Sequence, residues 1–298
     1  MQPFYHWYVS FIKGHGMNHL TLIEMFVALF AQPFLRMALI ASVSASVAAG
    51  VIGSYVVVKR IVFISGGIAH SVLGGLGIAL YLKRTFQIEW LQPIHGALVA
   101  AIFAAWIIGT IRFYYKQRED TVIATLWAFG MALGVVFISL TPGYNVDMTD
   151  YLFGNILWAS KADIYMLLGL DIVVLMTTAF MHRRFLAICF DEDQVTLQAQ
   201  NVKLLYFLLL SLIAITVVLL IQVVGAILII AILSLPAAIA NIYTRNLSKM
   251  MGLAIIIGTL ISFVGIAIAY ALNWPPGATI ALTATTAYIL HLLQAKKR

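Results

Sequence analysis

The chain has 298 residues, of which 63% are hydrophobic and 10% charged, and its formal net charge is +7. Soluble globular domains carry about 25% charged residues, so this composition excludes a water-soluble fold and indicates an integral membrane protein. The positive charge does not require a nucleic-acid partner, because Lys and Arg also accumulate at the cytoplasmic ends of membrane spans. The single cysteine, Cys189, excludes an internal disulfide and a metal site built from several cysteines.

Apolar stretches long enough to cross a bilayer as helices, about 20 residues each, recur along the chain. None shows the period-2 alternation of a membrane β-barrel. Residues 1–34 are rich in aromatic side chains and contain a short apolar stretch with Glu24, which favours an N-terminal interfacial segment. We therefore predict an all-α polytopic membrane bundle over 35–298, with about eight full spans and one short one. The predicted spans are 37–58, 67–82, 93–111, 121–140, 162–181, 203–222, 252–272 and 277–293, and the short one is 226–236.

The positions of Lys and Arg predict which loops face the cytoplasm. We place there the loops at Lys59/Arg60, 112–118, 182–203 and 245–249, together with the C-terminus. Of the 18 Lys and Arg residues, this map leaves outside only Lys13, Arg36, Lys83, Arg84 and Lys161.

One histidine lies inside the second predicted span. His70 is part of the glycine-rich stretch SGGIAHSVLGG, residues 65–75. Hydrocarbon offers an imidazole no water, so an ionisable residue inside a span indicates a function by default. The alternative is a core histidine hydrogen-bonded to Ser71 or to a carbonyl of a neighbouring helix.

Asp171 is an ionisable residue near the middle of the predicted span 162–181. A buried carboxylate there should face the bundle or an aqueous path. A structural hydrogen bond to a neighbouring helix accounts for a buried Asp171 equally well.

His95 lies near the outer start of its span, where it is either a ligand at the mouth of a pathway or an ordinary interfacial histidine.

Two loops carry clusters of acidic residues. On the predicted outer loop, Asp147 and Asp150 would concentrate cations or contact a docking protein; simple solvation explains them as well. The inner cluster 191–193 is interpreted as solvated loop acids.

The stretch that follows the short apolar segment predicts a small-residue-rich amphipathic helix at the cytoplasmic face. Small residues allow close approach of another protein, and a basic helix lying on the membrane surface is the alternative. The residues concerned are Pro236, Ala237, Ala238, Ala240, Arg245 and Lys249.

Five blocks occur in a characteristic order: GSYVVVKRIVFISGGIAHSVLGG (53–75), REDTVIATLWAFGMALG (118–134), DYLFGNIL (150–157), LIQVVGAILIIAILSLPAAIANIYTR (220–245) and WPPGATIAL (274–282). With these blocks the chain resembles the permeases of ABC transporters that import zinc or manganese. The resemblance implies a permease fold in the prokaryotic cytoplasmic membrane, with two copies lining a central pathway. It also implies separate ATP-binding cassette subunits and an extracellular or periplasmic metal-binding protein as partners.

The resemblance assigns 236–249 the role of a coupling helix received by the ATPase, and His70 the role of a metal ligand. In many members an aspartate stands one helical turn before this histidine, on the same helix face; here the position is Gly66. Three explanations stay open. Gly66 and Gly67 break the helix so that carbonyls or water replace the carboxylate, Asp171 replaces it, or the cargo is another metal.

The chain lacks the GxxxxGK[ST] phosphate loop, so ATP is expected on the partner subunit and no cofactor on this chain. Neither HExxH nor GxSxG occurs, which argues against a membrane enzyme. The expected function is metal import by alternating access. The alternative is a proton-coupled secondary transporter that uses His70 and Asp171 as its relay.

Overall fold

The computed structural model describes residues 32–115, 119–143, 154 and 156–295, and within them every regular element is helical. The predicted all-α fold is therefore confirmed. A π-helical turn, Ile111–Tyr115, follows α3, and a 3-10 turn, Ile156–Trp158, precedes α5. The helices are α1 (Pro33–Val58), α2 (Val62–Thr85), α3 (Pro93–Thr110), α4 (Glu119–Leu140), α5 (Lys161–Phe190), α6 (Glu192–Leu197), α7 (Val202–Val224), α8 (Ala226–Tyr243), α9 (Leu247–Leu272) and α10 (Pro276–Ala295).

Nine of the described helices, all except α6, are long and apolar enough to cross a membrane. They correspond one to one with the eight full spans and the short span expected from the sequence. The shortest, α8, has 18 residues, which gives a length of about 27 Å at 1.5 Å per residue. That is close to the roughly 30 Å thickness of the hydrocarbon core, so α8 is nearly a full span.

The prediction of a separate amphipathic helix after Pro236 is wrong, because α8 continues through Pro236 to Tyr243. A proline inside a helix removes one hydrogen bond and usually bends or ends the helix. Here burial in the bundle keeps the helix intact: Pro236, Ala237 and Ala240 are all buried, and α1 packs against α8. The exposed residues of the predicted helix are confined to the last turn of α8, residues 241–243, and to 245, 246, 248 and 249 around the start of α9.

A single residue, Gly225, connects α7 to α8. Its φ of 83° and ψ of 160° form a conformation that residues with a side chain rarely adopt. Gly154, with a φ of 61°, packs against this turn so closely that a methyl group on it would overlap the backbone of Val224 and Gly225. Two of the five sequence blocks thus meet at this connection.

The helices pack in two groups. In the first, α2 lies between α3 and α4 and has the largest buried share of the nine spans, whereas α4 has the smallest. In the second, α1 is surrounded by α5, α8 and α9, and α10 packs against α8 and α9. Helix α7 joins the groups, since it contacts α2 and α3 as well as α1 and α5.

Glycines set the helix spacing in the first group. Gly75 of α2 and Gly96 of α3 face each other, and a methyl group on either would overlap the carbonyl oxygen of the other. Gly130 and Gly134 of α4 contact the backbone of α2 in the same way, at Ser71 and Leu73. The GxxxG of α4, Gly130 to Gly134, therefore packs against α2 within the same chain.

We expect Gly75→Ala to destabilise the bundle, because neither backbone at the contact has a flexible side chain that can yield. Overpacking of this kind costs about 1–3 kcal/mol. The matched control is Gly169→Ala on α5, where an added methyl group meets no atom within 4 Å. Thermal unfolding of the detergent-purified proteins measures the difference, and equal melting temperatures for the two variants would contradict the packing described here.

Candidate functional site

His70 lies on α2 and stacks face to face on the indole of Trp127 from α4, with ring centroids 4.2 Å apart and an interplanar angle of 3°. The imidazole is half-buried. Its Nδ1 atom is enclosed and has no hydrogen-bond partner among the described residues. Ser71, the partner expected of a core histidine, instead donates to the carbonyl oxygens of Gly67 and Leu126. Stacking on Trp127 therefore orients the imidazole, and its enclosed Nδ1 atom has no hydrogen-bond partner among the described residues.

The helix does not break at Gly66 and Gly67, because α2 runs without interruption from Val62 to Thr85. The explanation in which carbonyls freed at this point replace the carboxylate is therefore wrong. Gly67 serves packing instead: a methyl group on it would lie 2.5 Å from Cγ2 of Ile123 on α4. At Gly66 the nearest atom to such a methyl is Cδ1 of Ile230 at 3.8 Å, so the position has room for a side chain.

Asp171 is buried on α5, and its Oδ2 accepts a hydrogen bond from the hydroxyl of Ser44 on α1. Its other oxygen, Oδ1, has no partner among the described residues. This contact is the structural hydrogen bond to a neighbouring helix that the sequence left open as an alternative. An unsatisfied carboxylate in a membrane is costly, so the bond gives Asp171 a role in holding α5 against α1.

The structure gives His70 and Asp171 different surroundings: α4 beside the imidazole and α1 beside the carboxylate. No group of three or more His, Cys, Asp and Glu side chains in the described ranges is placed to hold a metal ion. The arrangement thus contains one available imidazole rather than a preformed multidentate centre.

His95 is exposed and caps the start of α3, where its Nδ1 accepts a hydrogen bond from the backbone N–H of Gln92 at 3.2 Å. In a neutral imidazole this bond places the proton on Nε2, so neither nitrogen presents a free lone pair. The bond favours the interfacial interpretation over that of a ligand. The other proposed outer residues, Asp147 and Asp150, lie outside the described residues.

Helix ends collect on one side of the bundle, which we call the basic face; it carries Lys59, Arg112, Arg183, Arg245 and Lys249. Glu192 accepts hydrogen bonds from both Lys59 and Arg112, the latter at 2.7 Å. Lys59 also donates to the carbonyl oxygen of Ile188, and the guanidinium of Arg112 lies 4.3 Å from the ring centroid of Tyr206. The carboxylate at the start of α6 thereby joins the end of α1 to the π-helical turn that follows α3.

The interpretation of the acids 191–193 as merely solvated is wrong for two of them. Glu192 is the centre of the ion-pair network, and Asp191 caps α6 by accepting from the N–H of Gln194 at 2.9 Å. A signal was present in the sequence, since the predicted inner loops hold basic clusters near 59 and 112 and a single acidic cluster. Opposite charges on one membrane face tend to pair, but the sequence alone did not indicate which acid would do so.

A second polar centre on the basic face was missed altogether. The imidazole of His182 contacts the Tyr55 hydroxyl through Nδ1 at 2.9 Å and the Ser248 hydroxyl through Nε2 at 3.0 Å. It therefore links α1, α5 and α9. Together with the ion pairs of Glu192, this contact places Lys59, Arg112, His182 and Ser248 on the same side of the bundle, as the predicted distribution of basic loops required.

Nine helices of the described residues are long and apolar enough to cross a membrane, and basic residues gather on one face of their bundle, which defines an integral membrane protein. Residues 31–295 match the model of a family described as the ABC 3 transport family. The chain belongs to this family, which confirms the resemblance carried by the five sequence blocks. It is accordingly a multi-pass transport subunit and not an enzyme.

Curated relatives cover nearly the whole chain. A protein of Chlamydia trachomatis named "Probable metal transport system membrane protein" is 46% identical over 274 residues, which are 92% of this chain and 93% of the relative. The "Manganese transport system membrane protein MntC" of Listeria monocytogenes is 33% identical over 270 residues, 91% of this chain and 94% of the relative.

The fold also matches a solved structure, PsaBC from Streptococcus pneumoniae in complex with Fab. The TM-score is 0.79 at 29% identity, and the match covers 91% of this chain and 95% of that one.

Membership of the ABC 3 transport family argues against the alternative function, a proton-coupled secondary transporter, because such a transporter would use an ion gradient instead of an ATPase.

Glu192→Ala should lower stability by about 2 kcal/mol, less than the 3–5 kcal/mol typical of a fully buried pair because the network is partly exposed. The side chain of Lys59, only 9% exposed, would lose its counter-charge. The matched control is Asp193→Ala in the same turn, whose side chain is exposed. Chemical or thermal unfolding in detergent compares the two, and an unaffected Glu192→Ala protein would show that the network contributes little.

Proposed function

We propose that this chain is the permease subunit of an ABC importer of a divalent metal ion, with manganese as the leading cargo and zinc as the second. The names of relatives in Listeria and Streptococcus, which refer to manganese transport and manganese import, support this order. Imidazole is a good ligand for Zn²⁺ and an acceptable one for Mn²⁺, so the available side chain is compatible with both.

The proposal rests chiefly on His70. It lies in the most enclosed of the described spans, its ring is fixed by Trp127, and its Nδ1 has no competing hydrogen bond. A dehydrated metal ion passing along α2 would meet a neutral nitrogen ligand at membrane depth. One protein ligand holds an ion weakly, which suits a pathway because a tight site would retain its cargo.

In the proposed mechanism, a soluble metal-binding protein docks on the face opposite the basic face and releases the ion towards His70. A second copy of the chain completes the central pathway. ATP binds and is hydrolysed on separate cassette subunits, and their closure turns the cavity inward by alternating access. This chain itself holds no cofactor in the proposal, and the metal is its substrate.

The docking segment for the ATPase is proposed to be residues 244–249 on the basic face. Arg245 and Lys249 are exposed there, whereas Leu247 and Met250 are buried and anchor the segment to the bundle. The side chain of Asn246 caps α9 by accepting from the N–H of Lys249 at 3.2 Å. A charged, anchored surface of this kind suits a protein groove better than a lipid tail region. The positive-inside rule places this face, and with it the C-terminus, in the cytoplasm.

Replacing His70 by Ala should reduce manganese uptake at least tenfold, because loss of a metal ligand or its orienting partner typically costs 10–100-fold. Assembly with the ATPase should be unchanged. The control is His95→Ala, whose imidazole is engaged in capping α3. Uptake of radioactive or fluorescently detected Mn²⁺ into proteoliposomes measures the effect, and normal uptake by His70→Ala would remove His70 from the pathway.

The complementary variant adds the missing carboxylate. The atom nearest to a Cβ added at position 66 is Cδ1 of Ile230 at 3.8 Å, an ordinary contact distance; Gly66→Asp places an acid one turn from His70, so we expect tighter metal binding and a lower KM for uptake. Gly67→Asp is the matched control, because Ile123 leaves it no room. If Gly66→Asp changes neither KM nor metal selectivity, the face of α2 that carries His70 is not a metal site.

The docking proposal predicts that the double variant Arg245→Glu, Lys249→Glu will lose the ATPase subunit on co-purification. Charge reversal introduces repulsion at a complementary interface and can cost several kcal/mol. The control reverses Lys83 and Lys161, which lie at helix ends on the opposite face. Retention of the ATPase by the first variant would exclude these charges from the interface.

A further inference from the structure

We infer that His182 is a positioning residue that couples the docking segment, 244–249, to the α1–α5 helix pair. The inference rests on the proposed function, because it assigns a mechanical role to a side chain beneath the proposed ATPase contact. None of the five sequence blocks includes this residue, since 182 falls between the third block, 150–157, and the fourth, 220–245.

The α1–α5 pair is held in one register by polar contacts. Ser44 bonds to Asp171 and Tyr55 bonds to His182, and in both cases the partners are 127 residues apart. An equal separation means that the two helices run in parallel. The contacts are 11 residues apart on each helix, which is about three turns, so both lie along one shared face. A third contact follows from Lys59 to the carbonyl of Ile188.

Tyr55 is fully buried and is held on both sides by α5. Its ring lies edge-on to Phe185, with centroids 5.6 Å apart, and edge-on to His182 at 6.3 Å. The hydroxyl reaches Nδ1 of His182 at 2.9 Å. Because the last turn of α1 is fixed to α5 in this way, a force on His182 is passed to α1 instead of being absorbed by side-chain motion.

The other nitrogen of His182 reaches the docking segment. Nε2 contacts the hydroxyl of Ser248 at 3.0 Å, and Ser248 lies between Arg245 and Lys249 in the sequence. A neutral imidazole donates at one nitrogen and accepts at the other, so the two contacts of His182 depend on each other. The ring is therefore a short rigid bridge between the segment and the α1–α5 pair.

The bridge leads towards the candidate pathway. Only residues 59–61 separate the end of α1 from the start of α2, the helix that carries His70. A displacement of the docking segment would pass through His182 and Tyr55 to the end of α1, and from there to the base of α2. In this arrangement His182 contacts neither metal nor nucleotide and acts through the helices that it joins.

The test uses the complete complex, reconstituted with its ATPase and metal-binding protein, and measures Mn²⁺ ions imported per ATP hydrolysed. We expect His182→Ala to lower this ratio at least about fivefold, the lower range of allosteric coupling, while co-purification with the ATPase persists. His291→Ala is the matched control: this histidine lies at the end of α10 beside Tyr243, and its Nδ1 bonds to the carbonyl oxygen of Ala287 in the same helix. Its ratio should equal that of the unaltered complex.

A variant that removes only one of the two contacts of His182 separates an effect on coupling from an effect on folding. Ser248 is exposed, so Ser248→Ala preserves the fold and should lower the ratio in the same direction as His182→Ala. Combining the two should add nothing, because both remove one bridge. An unchanged ratio in either single variant, or full additivity in the double variant, overturns the inference.

The same measurements identify a failure of the proposed function itself. If the unaltered complex shows no metal-stimulated ATP hydrolysis and no uptake, the importer assignment fails and the inference falls with it. If the unaltered complex is active and His182→Ala loses only thermal stability at an unchanged ratio, His182 is a structural residue and the importer assignment stands.

Discussion

The absence of water in the hydrocarbon core is the constraint on which the structure of this protein depends. Backbone groups must be satisfied within each segment, and the nine candidate spans found among the described residues are accordingly all helices. Polar side chains must find partners in the bundle, and the bond between Ser44 and Asp171 is one result. Against this background, a side-chain nitrogen without a partner, such as Nδ1 of His70, stands out as a functional candidate.

Since lipid and protein interiors are equally apolar, close packing has to hold the helices together. Glycines at the α2–α3 and α2–α4 contacts bring backbones into direct contact and make α2 the most enclosed span. The same crowding that stabilises this group also fixes the stacked pair of His70 and Trp127. Packing and the candidate site are therefore consequences of one feature, the glycine-rich sequence of α2.

On the basic face, polar contacts between side chains join the ends of the helices. Lys59, Glu192 and Arg112 join three helix ends, and His182 joins α1, α5 and α9 a short distance away. His182 also contacts Ser248 in the segment that we propose as the ATPase contact. The basic face is thus built as a connected surface, which is what the transmission of a force to the transmembrane helices requires.

Much of this protein could be predicted from the sequence, because hydropathy reports directly on the membrane. The nine spans, the grouping of the basic loops on one side and the family all follow from residue patterns in the chain. The sequence also singled out His70, since a histidine within an apolar run is visible without any knowledge of neighbours. In contrast, the predicted end of a helix at Pro236 was wrong. Proline usually breaks a helix, but the sequence does not show that α8 packs against α1 and stays helical there.

The tertiary structure decided what depends on contacts between distant residues. It showed a continuous helix at Gly66 and Gly67, where a break was one of three open explanations, and it gave Asp171 a partner on α1. It also brought Tyr55, His182 and Ser248 together from three helices, although none of them belongs to a motif. The sequence by itself determined which segments enter the membrane, since that is a property of each segment alone. Only the fold determined which polar groups meet, because partners separated by more than a hundred residues leave no periodic pattern in the chain.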